Sequence, residues 1–258
     1  TQWTSPPNHA TDTSMFQGAR VAVVVPAYCE ARLLPKTLRG MPEFVDSIVV
    51  VDDASPDGTS RVARSVEDPR VETLRHPRNL GVGAAITTGY ARALALGADV
   101  VAVMAGDAQM DPDDLPRVIA PVVAGRADYV KGNRFVHAAA TDMPLTRRMG
   151  SRALSLLTRA ATGLDVDDTQ CGFTAIARST LERIDLGSIW PRYGYPNDIL
   201  GVLAQGSFRV VEVPVRPVYR DESSGLRPWH LASIAGVILR RSVLGTAAPR
   251  ALLAAVTR

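Results

Sequence analysis

Two short β-branched runs open the ordered pattern of the chain. They are Val21-Ala-Val-Val-Val25, closed by Pro26, and Ser47-Ile-Val-Val-Val51, closed by Asp52-Asp53. Each has the unbroken apolar character of a strand covered on both faces. Between them Leu33, Leu34, Thr37 and Leu38 repeat at helical spacing. A second helical pattern runs from Gly81 to Gly97, with Ile86, Tyr90 and Leu94 on one face and Gly97 as its stop. Val100-Val-Ala-Val-Met104 is the next strand, and this alternation predicts an open, mostly parallel α/β sheet. The second half predicts a helix from Pro144 to Gly163 with Met149, Ala153, Leu156, Leu157 and Ala160 as its apolar stripe. Strands are expected at Phe173 to Ile176 and Phe208 to Val215, the latter with Val211, Val213 and Val215 on one face. The small, polar stretch from Val136 to Asp142 reads as a flexible loop.

Open α/β sheets bind ligands at the C-terminal ends of their strands. All three early runs deliver polar residues there: Tyr28 and Glu30, then Asp52 and Asp53, then Asp107 and Gln109. Asp, Ser and Gly in Ser55-Pro-Asp-Gly-Thr59 are explained by turn and helix-cap chemistry. An adjacent acidic pair at a strand end is not, and a carboxylate there can accept from a nucleobase N–H. Asp107 and the amide oxygen of Gln109 are two positions apart, the oxygen chemistry that Mg²⁺ or Mn²⁺ prefers. Asp111 to Asp114 instead read as the start of a helix. The glycine-rich run Asn79-Leu-Gly-Val-Gly-Ala84 is either part of a ligand site or a tight turn with a closely packed helix N-terminus.

Composition narrows the class. With 46% hydrophobic and 21% charged residues, the 258-residue chain fits one large globular domain. Two cysteines, Cys29 and Cys171, make no disulfide framework, and the four histidines are too scattered for a zinc site. Neither a Gly-x-Gly-x-x-Gly turn after the first strand nor a Walker A loop occurs, which argues against a dinucleotide cofactor. The net charge of +3 gives no nucleic-acid signature, but its distribution is uneven. After Glu222 no acid appears, while Arg227, Arg240, Arg241, Arg250 and Arg258 follow. That tail is either a solvated basic end or a face for anionic lipid headgroups. Its apolar stretch from Leu231 to Leu244 is interrupted by Arg240 and Arg241 and is too short to span a bilayer.

Five motifs in order carry a family resemblance: Val25-Pro-Ala-Tyr-Cys-Glu30, Val51-Asp-Asp-Ala-Ser-Pro-Asp-Gly-Thr59, Asn79-Leu-Gly-Val-Gly83, Gly106-Asp-Ala-Gln109 and Asp168-Thr-Gln-Cys-Gly-Phe173. Together, from about Arg20 to about Arg227, they resemble the inverting glycosyltransferase family 2, within its dolichyl- or polyprenyl-phosphate mannose and glucose synthases. The Asp-Thr-Gln-Cys-Gly-Phe run is similar to the glucosyl-type branch. The resemblance implies a GT-A fold and a nucleoside diphosphate sugar donor. It implies that Pro26, Ala27, Tyr28, Glu30, Asp53 and Asp107 line the donor pocket, and that Asp107 and Gln109 hold Mg²⁺ or Mn²⁺. Ala105 stands where the family's metal segment has its first acid, and Cys29 where its first motif has Asn.

By the same resemblance Arg134, in Gly132-Asn-Arg134, and Arg148 meet phosphate groups, a task that suits a guanidinium. Arg220, Ser223 and Ser224, in Tyr219-Arg-Asp-Glu-Ser-Ser-Gly225, belong to a late loop closing over donor and acceptor. Asp198, in Tyr195-Pro-Asn-Asp198, corresponds to the carboxylate near the acceptor, positioning it or serving as base toward a hydroxyl. The implied reaction is inverting transfer of a hexosyl unit from a UDP- or GDP-sugar to polyprenyl phosphate. A soluble enzyme with a small-molecule acceptor and an inactive sugar-nucleotide-binding protein are the alternatives. The expected organisation is a loose arm at 1–18, the catalytic domain at 19–227 and a basic amphipathic helical segment at 228–258. Leu231, Ile234 and Ile238 share a helical face that could enter the headgroup layer. The expected location is cytoplasmic, at the cytoplasmic face of the membrane.

Overall fold

The computed structural model describes residues 15–137, 143, 145–218 and 228–244. The elements run β1 (Val21–Ala27), α1 (Leu34–Arg39), β2 (Ser47–Asp52), α2 (Thr59–Arg64), β3 (Val71–Arg75), α3 (Val82–Ala95) and β4 (Val100–Val103). They continue α4 (Leu115–Val123), β5 (Tyr129–Asn133), α5 (Leu145–Thr162), β6 (Thr174–Ala177), α6 (Arg178–Leu181), α7 (Tyr195–Gln205), β7 (Val210–Pro214) and α8 (Pro228–Leu244). The strands form one sheet in the order β3-β2-β1-β4-β6-β5-β7. Only β6 runs against its neighbours; the other pairings are parallel. The expected mixed α/β fold with a mostly parallel sheet is therefore present.

Strand residues alternate between faces, and a doubly covered sheet needs both sets apolar. Val21, Val23 and Val25 of β1 pack with Leu34, Leu38, Leu115 and Ile119 on one side. Ala22 and Val24 pack with Ile86, Tyr90, Ile199 and Leu203 on the other. Gly97 ends α3 with φ +83°, as its place in the pattern predicts. Val211, Val213 and Val215 share the first core, so the alternation expected of β7 holds.

The helix expected from Pro144 to Gly163 is present as α5, but two amphipathic patterns meet the core on sides that periodicity alone does not give. On α5, Met149 and Leu156 are 66% and 67% exposed, whereas Ser151, Leu154, Ser155 and Thr158 face inward. The inward hydroxyls satisfy themselves by bonding back one turn, Ser155 to the Ser151 carbonyl at 3.0 Å and Thr158 to the Leu154 carbonyl at 2.8 Å. Leu154 and small, self-satisfied residues thus form the packed face with Leu157 at its edge, while Met149, Ala153, Leu156 and Ala160 of the stripe lie outside. On α8, Ile234 and Ile238 are buried against Leu154 of α5, so they do not form a lipid-facing surface. Leu231 lies outside the described side chains. No helix among the described residues is long and apolar enough to cross a membrane.

Candidate functional site

The C-terminal ends of β1, β2 and β4 lie side by side because β1 is flanked by β2 and β4 in parallel register. Beyond each, a non-glycine residue takes a left-handed conformation: Cys29 (φ 59°), Ala54 (φ 61°) and Ala108 (φ 54°). Such a conformation costs on the order of 1 kcal/mol for a residue with a Cβ, and it persists where surrounding bonds enforce it. Here they do. The Cys29 N–H donates to Ser55 Oγ at 3.0 Å, the Glu30 N–H to Thr59 Oγ1 at 3.0 Å and the Ala31 N–H to Asp57 at 3.1 Å. The Ser-Pro-Asp-Gly-Thr turn therefore clips the loop after β1 as well as starting α2.

The acidic pair divides its labour. Asp52 is fully buried, bonded to the Ser55 N–H at 2.9 Å, to Ser60 Oγ and to the Arg75 guanidinium. Asp53 accepts from the N–H groups of Leu80 (2.8 Å) and Gly81 (2.7 Å) and pairs with His76 Nδ1 at 2.7 Å. Burial pushes both carboxyls up, but these donors outweigh it and hold each below the ordinary aspartate value. Asp53 thus fixes the glycine-rich turn while lining a pocket, and Asp52 is structural.

That pocket, about 520 Å³, gathers Pro26, Ala27, Tyr28, Glu30, Asp53 and Asp107, all six residues expected around a donor. A second pocket of about 340 Å³ adjoins it, and Asp107, Ala105, Val82 and Tyr193 line both. Its walls include Gln109, Ser151, Arg134 and the run Gln170 to Phe173. Asp107 sits at the junction, its Oδ1 accepting from the Gln109 N–H at 3.0 Å in a tight turn after β4. Among the described residues no three acids, histidines or cysteines come together as a closed metal cage. One carboxylate and one amide oxygen beside a pocket fit a hard cation that takes its remaining ligands from phosphate and water. Asp111 is not part of this set; it caps the turn before α4 by accepting from the Asp113 N–H at 3.1 Å, as expected.

The far wall of the second pocket rests on a buried polar network. Asp168 holds Arg134 through both oxygens, at 2.7 and 2.9 Å, and its own N–H donates to Glu212 at 2.8 Å. Lys131, fully buried, donates to the Cys171 carbonyl at 2.6 Å. Burial pushes the Lys131 ammonium down and the Glu212 carboxyl up, while Arg134 outweighs burial at Asp168 and keeps it ionised. Arg134 therefore reaches the pocket in a fixed pose rather than as a loose surface charge. Arg148 lies one turn before Ser151 on α5, and its Nε is buried without a hydrogen-bond partner among the described residues.

Asp198 departs from expectation. It lines neither pocket; both its oxygens are taken by Arg241 of α8, at 2.8 and 2.6 Å, and one also accepts from the Trp190 N–H at 2.8 Å. That ion pair ties the segment at Trp190 to α8. Arg220, Ser223 and Ser224 lie outside the described residues. The sequence reading missed Arg192 and Tyr193, which line the donor-side pocket from a loop without a motif.

A strand-end pocket, joined through an acidic turn to a second, arginine-bearing pocket on a mostly parallel sheet, places the chain among proteins of the GT-A fold. The chain matches the model of glycosyl transferase family 2 over residues 22–185, and it belongs to that family and is a glycosyltransferase. It is 38% identical over 208 residues to an undecaprenyl-phosphate mannosyltransferase of Micrococcus luteus, covering 78% of this chain and 85% of that one. It is 29% identical over 219 residues to a UDP-N-acetylglucosamine–dolichyl-phosphate N-acetylglucosaminyltransferase of Methanococcus voltae, covering 79% and 87%. Among solved structures, glucosyl-3-phosphoglycerate synthase of Mycobacterium tuberculosis, in complex with Mn²⁺, UDP and phosphoglyceric acid, superposes with a TM-score of 0.65. That match is at 19% identity and covers 88% of this chain and 80% of that one.

Proposed function

We propose that this glycosyltransferase moves a hexosyl unit from a UDP- or GDP-sugar to the phosphate of a polyprenyl phosphate, with inversion at the anomeric carbon. The observation that carries this reading is the pair of adjoining pockets that share Asp107. Inversion needs the nucleophile on the face opposite the leaving group, and two pockets meeting at one carboxylate suit that requirement. The lipid acceptor is supported by the relatives named for polyprenyl phosphates.

The acceptor phosphate is ionised at neutral pH, so its oxygen attacks without a general base. The bond from the anomeric carbon to the donor phosphate breaks as the bond to the acceptor phosphate forms. This is compatible with Asp198 being committed to Arg241. Asp107 and Gln109 are the residues that would hold Mg²⁺ or Mn²⁺, which when bound supplies charge neutralisation to the leaving diphosphate. Arg134, fixed by Asp168, and Arg148, whose Nε is unpaired among the described residues, receive the acceptor phosphate. Arg220, Ser223 and Ser224 are assigned to the same phosphate. Residues 19–227 constitute the catalytic domain, and residues 1–18 and 228–258 flank it.

The enzyme works as a peripheral protein at the cytoplasmic face of the membrane. The surface for that contact is the outer stripe of α5, where Met149 and Leu156 project beside Arg152, with Val136 60% exposed nearby; Arg159 at its end is paired with Asp165 and Asp167. The test is a transfer assay with a panel of UDP- and GDP-sugars and Mg²⁺ or Mn²⁺, using undecaprenyl phosphate in one arm and 3-phosphoglycerate in the other. Sugar label extracted into organic solvent only in the lipid arm is expected. Label confined to a water-soluble product of the other arm would overturn the lipid acceptor.

A further inference from the structure

The glycine-rich turn and the segment from Trp190 to Tyr193 are packed against each other more closely than side chains would allow. Gly81 has φ +104°, and a Cβ there would stand 2.5 Å from the Pro191 carbonyl oxygen and 2.7 Å from Cγ of Arg192. A Cβ on Gly83 would overlap the Trp190 carbonyl oxygen. The contact is fastened on one side by the Ala84 N–H, which donates to the Pro191 carbonyl at 3.0 Å. On the other side the Asp198–Arg241 pair holds the Trp190 N–H at 2.8 Å and the Ser188 carbonyl at 2.9 Å. The glycines are therefore a seat for this segment, and the segment delivers Arg192 to the donor-side pocket.

Charge shows what Arg192 does there. The described lining of that pocket carries three carboxylates, Glu30, Asp53 and Asp107, and Arg192 as its one cation. A nucleoside diphosphate adds further negative charge to a site already acidic, so a cationic side chain near the phosphates adds to the neutralisation that a metal at Asp107 and Gln109 would supply. Arg192 is exposed, and among the described residues its guanidinium is tethered by long bonds, 3.3 Å to the Asn79 carbonyl and 3.5 Å to Asn79 Oδ1. Those bonds are readily exchanged for charge-assisted ones to phosphate oxygens, whose geometry a guanidinium matches. We propose that Arg192 binds the donor diphosphate, held in place by the seat that Gly81 and Gly83 provide. This rests on the nucleotide-sugar reading given above.

The test is calorimetric titration of the full chain, in the presence of Mn²⁺, with UDP and GDP and separately with uridine and guanosine. Arg192→Ala and Arg192→Lys are compared with the unsubstituted protein. Arg192→Ala should weaken binding of the preferred nucleoside diphosphate about tenfold while leaving the nucleoside unchanged. Arg192→Lys should recover part of the loss, and the salt dependence of diphosphate binding should flatten in Arg192→Ala. Diphosphate affinity within about twofold of the unsubstituted protein, at an unchanged melting temperature, overturns the assignment. An equal loss for nucleoside and diphosphate also overturns it, by placing Arg192 on the base or ribose. If the unsubstituted protein binds neither UDP nor GDP, the donor reading itself falls and takes this assignment with it.

Discussion

The Asp198–Arg241 pair separates a structural from a catalytic role for one carboxylate. Both side chains are almost completely buried, 3% and 8% exposed, and they meet through two short bonds. Asp198→Asn keeps the shape and an acceptor for the Trp190 N–H but leaves the Arg241 guanidinium without a counter-charge. Removing one partner of a buried pair costs about 3–5 kcal/mol, because the remaining charge stays desolvated. For a chain of this size that lowers Tm by roughly 10 °C. Arg241→Met alone should lose a similar amount, since it strands the carboxylate. The double substitution removes both charges and should recover at least about 2 kcal/mol relative to the sum of the singles. Urea melts of the four proteins give the coupling, and turnover per folded molecule is measured alongside. The double variant should retain most of its kcat. If Asp198→Asn leaves stability unchanged but abolishes turnover, Asp198 is the acceptor-side carboxylate of the family pattern, and the packing argument is wrong.

Three further outcomes follow from the same geometry. Asp107→Ala should reduce turnover at least about 100-fold and weaken nucleoside diphosphate binding, whereas Asp111→Ala, which removes only a turn cap and a 3.5 Å contact to Arg216, should be mild; full activity after EDTA treatment would refute the metal assignment. Asp52, Asp53 and Asp168 all have carboxyls held below their ordinary value. Their stabilisation is complete above the unfolded value of about 3.9 and is lost as pH falls through the folded values, so Tm should drop steeply below about pH 4; a Tm that stays flat down to pH 2 would contradict this. Met149→Glu with Leu156→Glu should reduce flotation with anionic liposomes without lowering Tm, since both side chains are two-thirds exposed; unchanged flotation would move the membrane contact elsewhere.

Most of the sheet was legible because β1, β2 and β4 are covered on both faces, which forces uninterrupted apolar runs. The strands that escaped are those without an uninterrupted apolar run. β5 carries Lys131 and Asn133, both buried, because its polar atoms serve the wall beneath the second pocket. β3 is an edge strand, half-buried from Val71 to Leu74 and exposed at Arg75, with no apolar run to detect. α5 misled in the opposite direction. Its stripe of Met149 and Leu156 has helical period but faces outward, and periodicity alone does not say which side of an amphipathic helix meets the core.

The site divides along the same line. Residues at strand ends were found from sequence because strand direction dictates where they emerge: Tyr28, Asp53 and Asp107 come together as the parallel register requires. Residues on the 188–194 segment were not, since its place depends on contacts distant in sequence. The clue was present in a motif with two readings, the glycines at 81 and 83. As a phosphate cradle they would have offered N–H groups to a ligand, but the Gly81 N–H is bound to Asp53 and the Ala84 N–H to Pro191. What glycine supplies here is the absence of a Cβ, which admits the segment ending in Arg192 and Tyr193 to the pocket rim. The buried Asp198–Arg241 pair holds the other end of that segment. One carboxylate expected near an acceptor thus also fixes the chain that brings Arg192 and Tyr193 to the rim of the strand-end pocket.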